Sequence, residues 1–124
     1  MATKAVMITD ISLTNDQSVK LFTYAAMANG DDGEPMSSPE FGDICVQITG
    51  TLGAGGTLVW QGSNDKTVWH TLNNAQGGAL SLTALSTKQV VERPLWMRPA
   101  VTAGDGTTSL VATVLARRVN TMRT

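Results

Sequence analysis

The 124-residue sequence predicts an all-β fold, a single-domain antiparallel β-sandwich or jelly roll with an N-terminal arm. Three observations carry that expectation. Short runs of alternating apolar and polar residues recur along the chain, separated by turns rich in Gly, Asn, Asp and Pro. No segment keeps a helical apolar stripe over three turns, and residues 24–29 and 81–89 each hold a turn of helix at most. Residues 109–117 (SLVATVLAR) are apolar on both alternating sides, as in a strand at least partly covered on each face by sheet packing.

Residues 1–18 alternate weakly through Val6, Ile8, Ile11 and Leu13, and are read as an arm or edge strand that orders on a neighbour. Residues 19–24 (VKLFTY) form the first firm strand. Residues 29–39 (NGDDGEPMSSP) then break regular structure. Asp31, Asp32 and Glu34 there supply oxygen ligands of the kind calcium takes, but without EF-hand spacing or flanking helices. A solvated turn is the simpler reading.

Residues 44–52 return to period two, with Ile44, Val46 and Ile48 on one face and Cys45, Gln47, Thr49 and Thr51 on the other. Gly50 within that strand predicts a bulge or a close backbone approach. Gly53-Ala54-Gly55-Gly56 follows as a turn. It lacks the Gly-x-Gly-x-x-Gly spacing, and TLVW after it is strand rather than helix, so it offers no phosphate cradle.

The sequence is organised around residues 57–72 (TLVWQGSNDKTVWHTL), read as two strands joined by Ser63-Asn64-Asp65-Lys66. A four-residue loop would set Trp60 opposite Trp69, an aromatic cross-strand pair. Residues 73–78 make a turn, and residues 80–83 and 88–92 make short strands. Pro94 and Pro99 bracket Leu95, Trp96, Met97 and Arg98, which predicts an edge strand or a bulge because proline cannot donate to a ladder. Gly104-Asp105-Gly106 turns into the last strand. The domain plan is thus an arm over 1–18, a sandwich over 19–118 and a tail over 119–124.

Charge narrows the function. The net charge is −1 with 15% charged residues, so nothing sequence-wide attracts nucleic acid or anionic lipid. No apolar run approaches the roughly 18–20 residues of a membrane span. No signal peptide pattern opens the chain, which is expected to stay in the cytoplasm where it is made or to join something assembled there.

No catalytic, cofactor-binding or metal-ligating residue is assigned. Cys45 is the single cysteine, which excludes an internal disulfide, and between Ile44 and Val46 it reads as a small strand hydrophobe. His70 is the sole histidine, with no Gly-x-Ser-x-Gly elbow or cysteine-protease signature to use it, so it reads as an orienting or surface residue. One His and one Cys fall short of a zinc site. Most acids (Asp31, Asp32, Glu34, Asp65, Asp105) lie in predicted turns, where they serve local hydrogen bonds. The expected protein is not an enzyme and needs no cofactor. Arg117, Arg118 and Arg123 form a basic cluster that Arg93 and Arg98 could extend along one face. It reads as a solvated strand end and tail, or as a docking face for an acidic protein surface.

Taken in order, these residues resemble the capsid decoration, or cement, proteins of tailed bacteriophages. The resembling parts are Asn29-Gly30-Asp31-Asp32-Gly33-Glu34-Pro35 and Asp43-Ile44-Cys45-Val46-Gln47-Ile48-Thr49-Gly50-Thr51-Leu52-Gly53. They continue with Gln61-Gly62-Ser63-Asn64-Asp65, Trp69 and Leu72, and close with Met97-Arg98-Pro99 and Gly104-Asp105-Gly106-Thr107. The resemblance implies a virion protein on the capsid exterior, assembled in the host cytoplasm, often a homotrimer, that clamps neighbouring major capsid proteins. Lys66 departs from the glycine often found after Ser-Asn-Asp, which is expected to alter the turn type. Two other readings stand beside it. Gly62-Ser63-Asn64-Asp65 with Trp69 also looks like the turn of discoidin-like carbohydrate-binding jelly rolls, and a phage tail or baseplate component would show similar strands.

Overall fold

The structure is a computed structural model that describes residues 2–10, 19–37 and 41–118. Its strands, in chain order, are β1 (Thr3–Lys4), β2 (Met7–Asp10), β3 (Val19–Met27), β4 (Asp32–Gly33), β5 (Met36–Ser37) and β6 (Asp43–Thr51). They continue with β7 (Thr57–Ser63), β8 (His70–Thr71), β9 (Ser81–Leu82), β10 (Thr87–Gln89), β11 (Trp96–Ala103) and β12 (Ser109–Arg117). A seven-stranded sheet runs β1-β4-β11-β7-β8, with β5 also on β11 and β9 also on β7. A five-stranded sheet runs β10-β6-β12-β3-β2. The two sheets pack as an all-β sandwich.

Alternation decides which side chains enter. Ile44, Val46 and Ile48 from β6 meet Leu110, Ala112 and Val114 from β12 in the core. Opposite them stand Leu58, Trp60, Met97 and Val101 from β7 and β11. Trp60 is fully buried, with its ring edge-on to Tyr24 at 6.5 Å. Its Nε1–H points at the Met97 sulfur, 3.4 Å away. The Tyr24 hydroxyl donates to the Glu34 carbonyl at 2.7 Å, which satisfies the one polar end of a buried ring. Burial, with the Glu34 charge beside it, pushes that phenol up.

The first firm strand runs three residues past the predicted end. Ala26 takes φ 57°, and the register with β12 slips between Leu110 and Ala112, so the bulge turns Met27 inward after Phe22 and Tyr24. At Gly50 there is a close approach without a bulge. Leu110 pairs with it in an unbroken register, φ is 106°, and a Cβ would fall 2.3 Å from the Ser109 carbonyl oxygen.

Two sequence expectations are corrected and one open alternative is decided. Residues 29–37 are not a solvated turn, because they contribute β4 and β5, and Asp31 is only 6% exposed. Its carboxylate accepts from the Ala28 N–H at 2.9 Å and the Ala2 N–H at 3.0 Å, and Lys4 lies 3.8 Å away. The Ala28 amide above all holds that carboxyl below its usual range. Residues 38 and 39 of the predicted turn lie outside the described residues.

Second, of the expected edge strand or bulge, β11 is not an edge strand, and its register with β7 shifts between Val101 and Ala103, beyond both prolines. It pairs with β7 on one side and with β4 and β5 on the other. Trp60, opposite Pro99, turns its N–H to Leu80 and its carbonyl to Leu72, away from β11. The missing proline N–H therefore faces the other side, where the neighbour is broken between β4 and β5. Gly33 fits there because a Cβ would meet the Pro99 ring at 2.6 Å.

Of the two readings for residues 1–18, arm or edge strand, residues 3–10 take the second, as an edge strand in each sheet. β1 lies parallel to β4 in one sheet and β2 antiparallel to β3 in the other. The three acids once considered for calcium hold this strap through separate donors: Asp31 through Ala2 and Lys4, Asp32 through the Thr3 hydroxyl, Glu34 through the Val6 N–H. Deleting the strap would strip a strand from each sheet. The remainder of the predicted arm, 11–18, lies outside the described residues, as do residues 119–124.

Candidate functional site: the outer face of the seven-stranded sheet

Residues 64–69 carry β7 into β8 and build the most chemically distinctive surface of the molecule. Asp65 organises them. Its carboxylate accepts from the Thr67 N–H (2.8 Å), the Val68 N–H (2.9 Å) and the Ser63 hydroxyl (2.8 Å). The Ser63 Oγ in turn accepts from the amides of Asp65 and Lys66. These bonds, that from Val68 first, hold the Asp65 carboxyl down to about 2. This short-range network is what Ser-Asn-Asp chemistry predicts.

The loop is longer than the predicted four residues, and that changes the aromatic pairing. Gln61 pairs with Thr71 and Gly62 with His70, and the Leu72 N–H donates to the Trp60 carbonyl at 2.9 Å. Trp60 and Trp69 are therefore not a cross-strand pair. Trp60 points into the core, and Trp69 lies half-buried on the outside under the Arg98 guanidinium, 4.3 Å from its ring centre. A register set by the extra loop residues moves a side chain to the opposite face.

Lys66 does not alter the turn as expected. It adopts the left-handed conformation itself, with φ 63°, the backbone glycine would take. Its ammonium sits 4.1 Å above the ring of Trp96. An L-residue in that region costs roughly 1–2 kcal/mol, and a cation–π contact at an exposed site returns about 0.5–1 kcal/mol.

Arg98 ties the face together. Its Nε donates to Gln61 at 3.0 Å and its Nη1 to Asp32 at 3.1 Å, while Asp32 also accepts from Thr3 at 2.8 Å. The Asn64 side chain accepts the Leu95 N–H at 2.8 Å and joins the loop to the start of β11. Val68, in the loop, and Leu95, bonded to Asn64, are exposed at 53% and 41%. Trp and Arg are among the side chains in which protein-binding energy concentrates.

The structure scatters the predicted arginines. Arg98 is on this face, whereas Arg117 ends β12 of the other sheet. Arg93 is exposed and folds back onto backbone carbonyls, its Nε on Gly42 at 2.9 Å and its Nη1 on Val91 at 3.0 Å and Glu92 at 3.1 Å. Arg123 lies outside the described residues. His70 is exposed on β8, at the rim of an open hollow shared with Asp65 and Glu92. Glu92 is committed to Asn73, accepting its backbone N–H at 2.7 Å and its side-chain amide at 2.8 Å, and the first of these lowers its pKa most. Cys45, on β6 of the five-stranded sheet, is not brought near His70, and burial pushes its thiol up. Among the described residues, no three of His, Cys, Asp and Glu gather as a metal cage would need.

The pairings of Trp69 with Arg98 and Lys66 with Trp96 were not foreseen. A partial signal exists in the sequence. Trp96 and Arg98 are two apart in a strand, so they share a face.

Comparison with protein-family models and with curated proteins finds no match. Solved structures do share the fold. The SPBc2 prophage-derived protein YomS is 11% identical over 79% of this chain and 93% of its own, with a TM-score of 0.61. Peruvianin-I, a cysteine peptidase from Thevetia peruviana latex, is 15% identical over 93% of this chain and 63% of its own, with a TM-score of 0.50. At these identities the likeness is one of architecture alone.

Proposed function

We propose that this chain is a structural protein of a tailed-phage particle, which binds the outside of the capsid and clamps neighbouring major capsid proteins. The observation that carries the reading is the preorganised outer face of the seven-stranded sheet, with Trp69, Trp96, Arg98 and Lys66 held in fixed contacts beside exposed aliphatic residues. A loop already ordered by Asp65 loses little further freedom on docking. Two further supports are the order of the motifs along the chain and an architecture shared with a prophage-derived protein.

The role is passive and needs neither cofactor nor catalysis. A protein that binds only the assembled lattice stabilises it by mass action, because whatever binds one state shifts the equilibrium towards that state. Copies joined as a trimer would add effective concentration at each site. The partner is the major capsid protein, with no nucleic acid or membrane involved, and the place of action is the capsid exterior after assembly in the host cytoplasm.

Purified protein mixed with capsids that lack it, expanded and unexpanded, tests the reading by co-sedimentation. Saturable binding to capsids that weakens at least tenfold with Arg98→Ala is expected. Binding to isolated tails but not capsids would move the protein to the tail or baseplate. Binding to glycans but not to either would replace the proposal with the carbohydrate-binding reading.

A further inference from the structure

The strand β2 closes one side of the five-stranded sheet, and among the described residues no strand lies beyond it. The registers of the sheet fix which way its peptide groups point. The Ile48 N–H goes to Ser86 beside β10, so even-numbered residues of β6 turn their backbone to β10 and odd-numbered ones to β12. Carried through β12 and β3, that alternation turns Met7 and Thr9 to β3 and leaves the Ile8 N–H and C=O pointing away from the sheet. Val6 obeys the same rule, since its N–H reaches out to the Glu34 carboxylate at 3.0 Å.

Beside Ile8 lies a cleft of about 460 Å³, with Ile8, Phe22, Met36 and Phe41 among its walls and Lys20 and Glu34, opposite in sign, as its charged members. Other sheet edges are short or guarded: β1 and β8 have two residues each, and β10 carries Lys88 at its centre. By contrast β2 has neither lysine nor proline, and it exposes Met7 at 67% and Ile8 at 55%. An apolar edge in that state is a template for another strand.

We infer that the β2 edge takes up an extended segment of the capsid partner as a further strand, whose backbone bonds Ile8 and whose apolar side chain enters the cleft. The strap that carries β2 also carries Thr3, bonded to Asp32 beside Arg98, so this flank continues the proposed docking face. A second copy of β2 supplies the wrong chemistry. Two β2 edges paired about a two-fold axis at Met7 or Ile8 need the Val6 N–H that Glu34 holds, and an axis at Thr9 sets Asp10 against Ile8.

The inference rests on docking to a capsid, and its test separates the two. Amide exchange of the full chain is followed free in solution and bound to capsids that lack it. The Ile8 amide should exchange readily in the free chain and at least tenfold more slowly on the capsid, while that of Thr9, already turned to β3, changes little. Ile8→Pro removes the outward N–H and keeps the bonds of Met7 and Thr9, as an edge strand tolerates. It should weaken capsid binding at least tenfold with circular dichroism and melting temperature kept, whereas Ile8→Val should bind like the parent. Capsid binding with Ile8 exchange unchanged would overturn the inference and leave the capsid reading standing. Slow exchange of Ile8 in the free chain would overturn it as well: an edge already covered if the rate is independent of concentration, a second copy if it falls as concentration rises. Should no capsid bind, a synthetic peptide of alternating threonine and leucine is the probe. Chemical-shift changes confined to Ile8, Phe22, Met36 and Phe41 would then uphold the strand site without the capsid reading, and their absence would end it.

Discussion

The two outer faces of the sandwich differ in how their side chains are held. On the seven-stranded sheet, strands are short and interrupted, and the surface is organised by contacts among side chains: Arg98 with Gln61, Asp32 and Trp69, and Lys66 with Trp96. On the five-stranded sheet, three nine-residue strands present threonines, aliphatic residues and one cysteine in plain rows. The first face is stiff and chemically particular, as suits recognition of a different protein. The second is plainer among the described residues, with Asp43 and Arg117 as cross-strand neighbours at one end. The same sandwich carries both because each sheet needs only its inner side for the core.

That contrast can be broken at its backbone first. Gly50→Ala should cost more than about 2 kcal/mol, since it adds left-handed strain and a Cβ against the Ser109 carbonyl where β6 and β12 pair. Chemical denaturation would measure it, and a loss under 0.5 kcal/mol would mean that this sheet is far more compliant than its registers imply. Arg98→Ala comes next, at about 1–2 kcal/mol, because it removes one charged pair with two further contacts at a half-buried site. If it costs nothing, the polar face is ornament on a fold held from within.

A smaller effect should follow pH. The Asp65 and Asp105 carboxyls are both held down to about 2, Asp65 chiefly by the Val68 amide and Asp105 chiefly by the Thr107 hydroxyl. Their folded pKa lies below the unfolded value of about 3.9. The stabilisation they give is therefore complete above that value and is lost as pH falls from about 4 through 2. The amide resonances of Val68 and Thr107 should shift in that window, while those of Val111 and Thr113 stay put. Coincident movement of all four would point to global acid unfolding and erase the distinction between the faces. The smallest change is expected of Lys66→Gly, where relief of the left-handed backbone offsets the lost contact with Trp96 to within about 0.5 kcal/mol. Its melting temperature should stay near that of the parent while capsid binding weakens.

Much of the fold was legible in advance because its signals are local. Period-two runs marked β3 and β6, an apolar run marked β7, two-sided apolar alternation marked β12, and Gly50 offered a close approach as one of two readings through its missing side chain. Turn chemistry located residues 64–66 and 104–106. The candidate face was legible only in fragments, for its parts come from distant stretches: Asp32, Gln61, Trp69 and Arg98.

What the sequence by itself determined is therefore the strand character of the long stretches, the two faces of β6, and the presence of turns built by Asp65 and Asp105. These depend on alternation and on hydrogen bonds between residues two or three apart. Only the tertiary structure decided that Trp60 faces Tyr24 instead of Trp69, that Pro99 sits inside a sheet, and that residues 3–10 strap both layers. Each depends on register or on a break in a neighbouring strand. Those are set by how loops of particular length close across the whole molecule, and no local pattern encodes them.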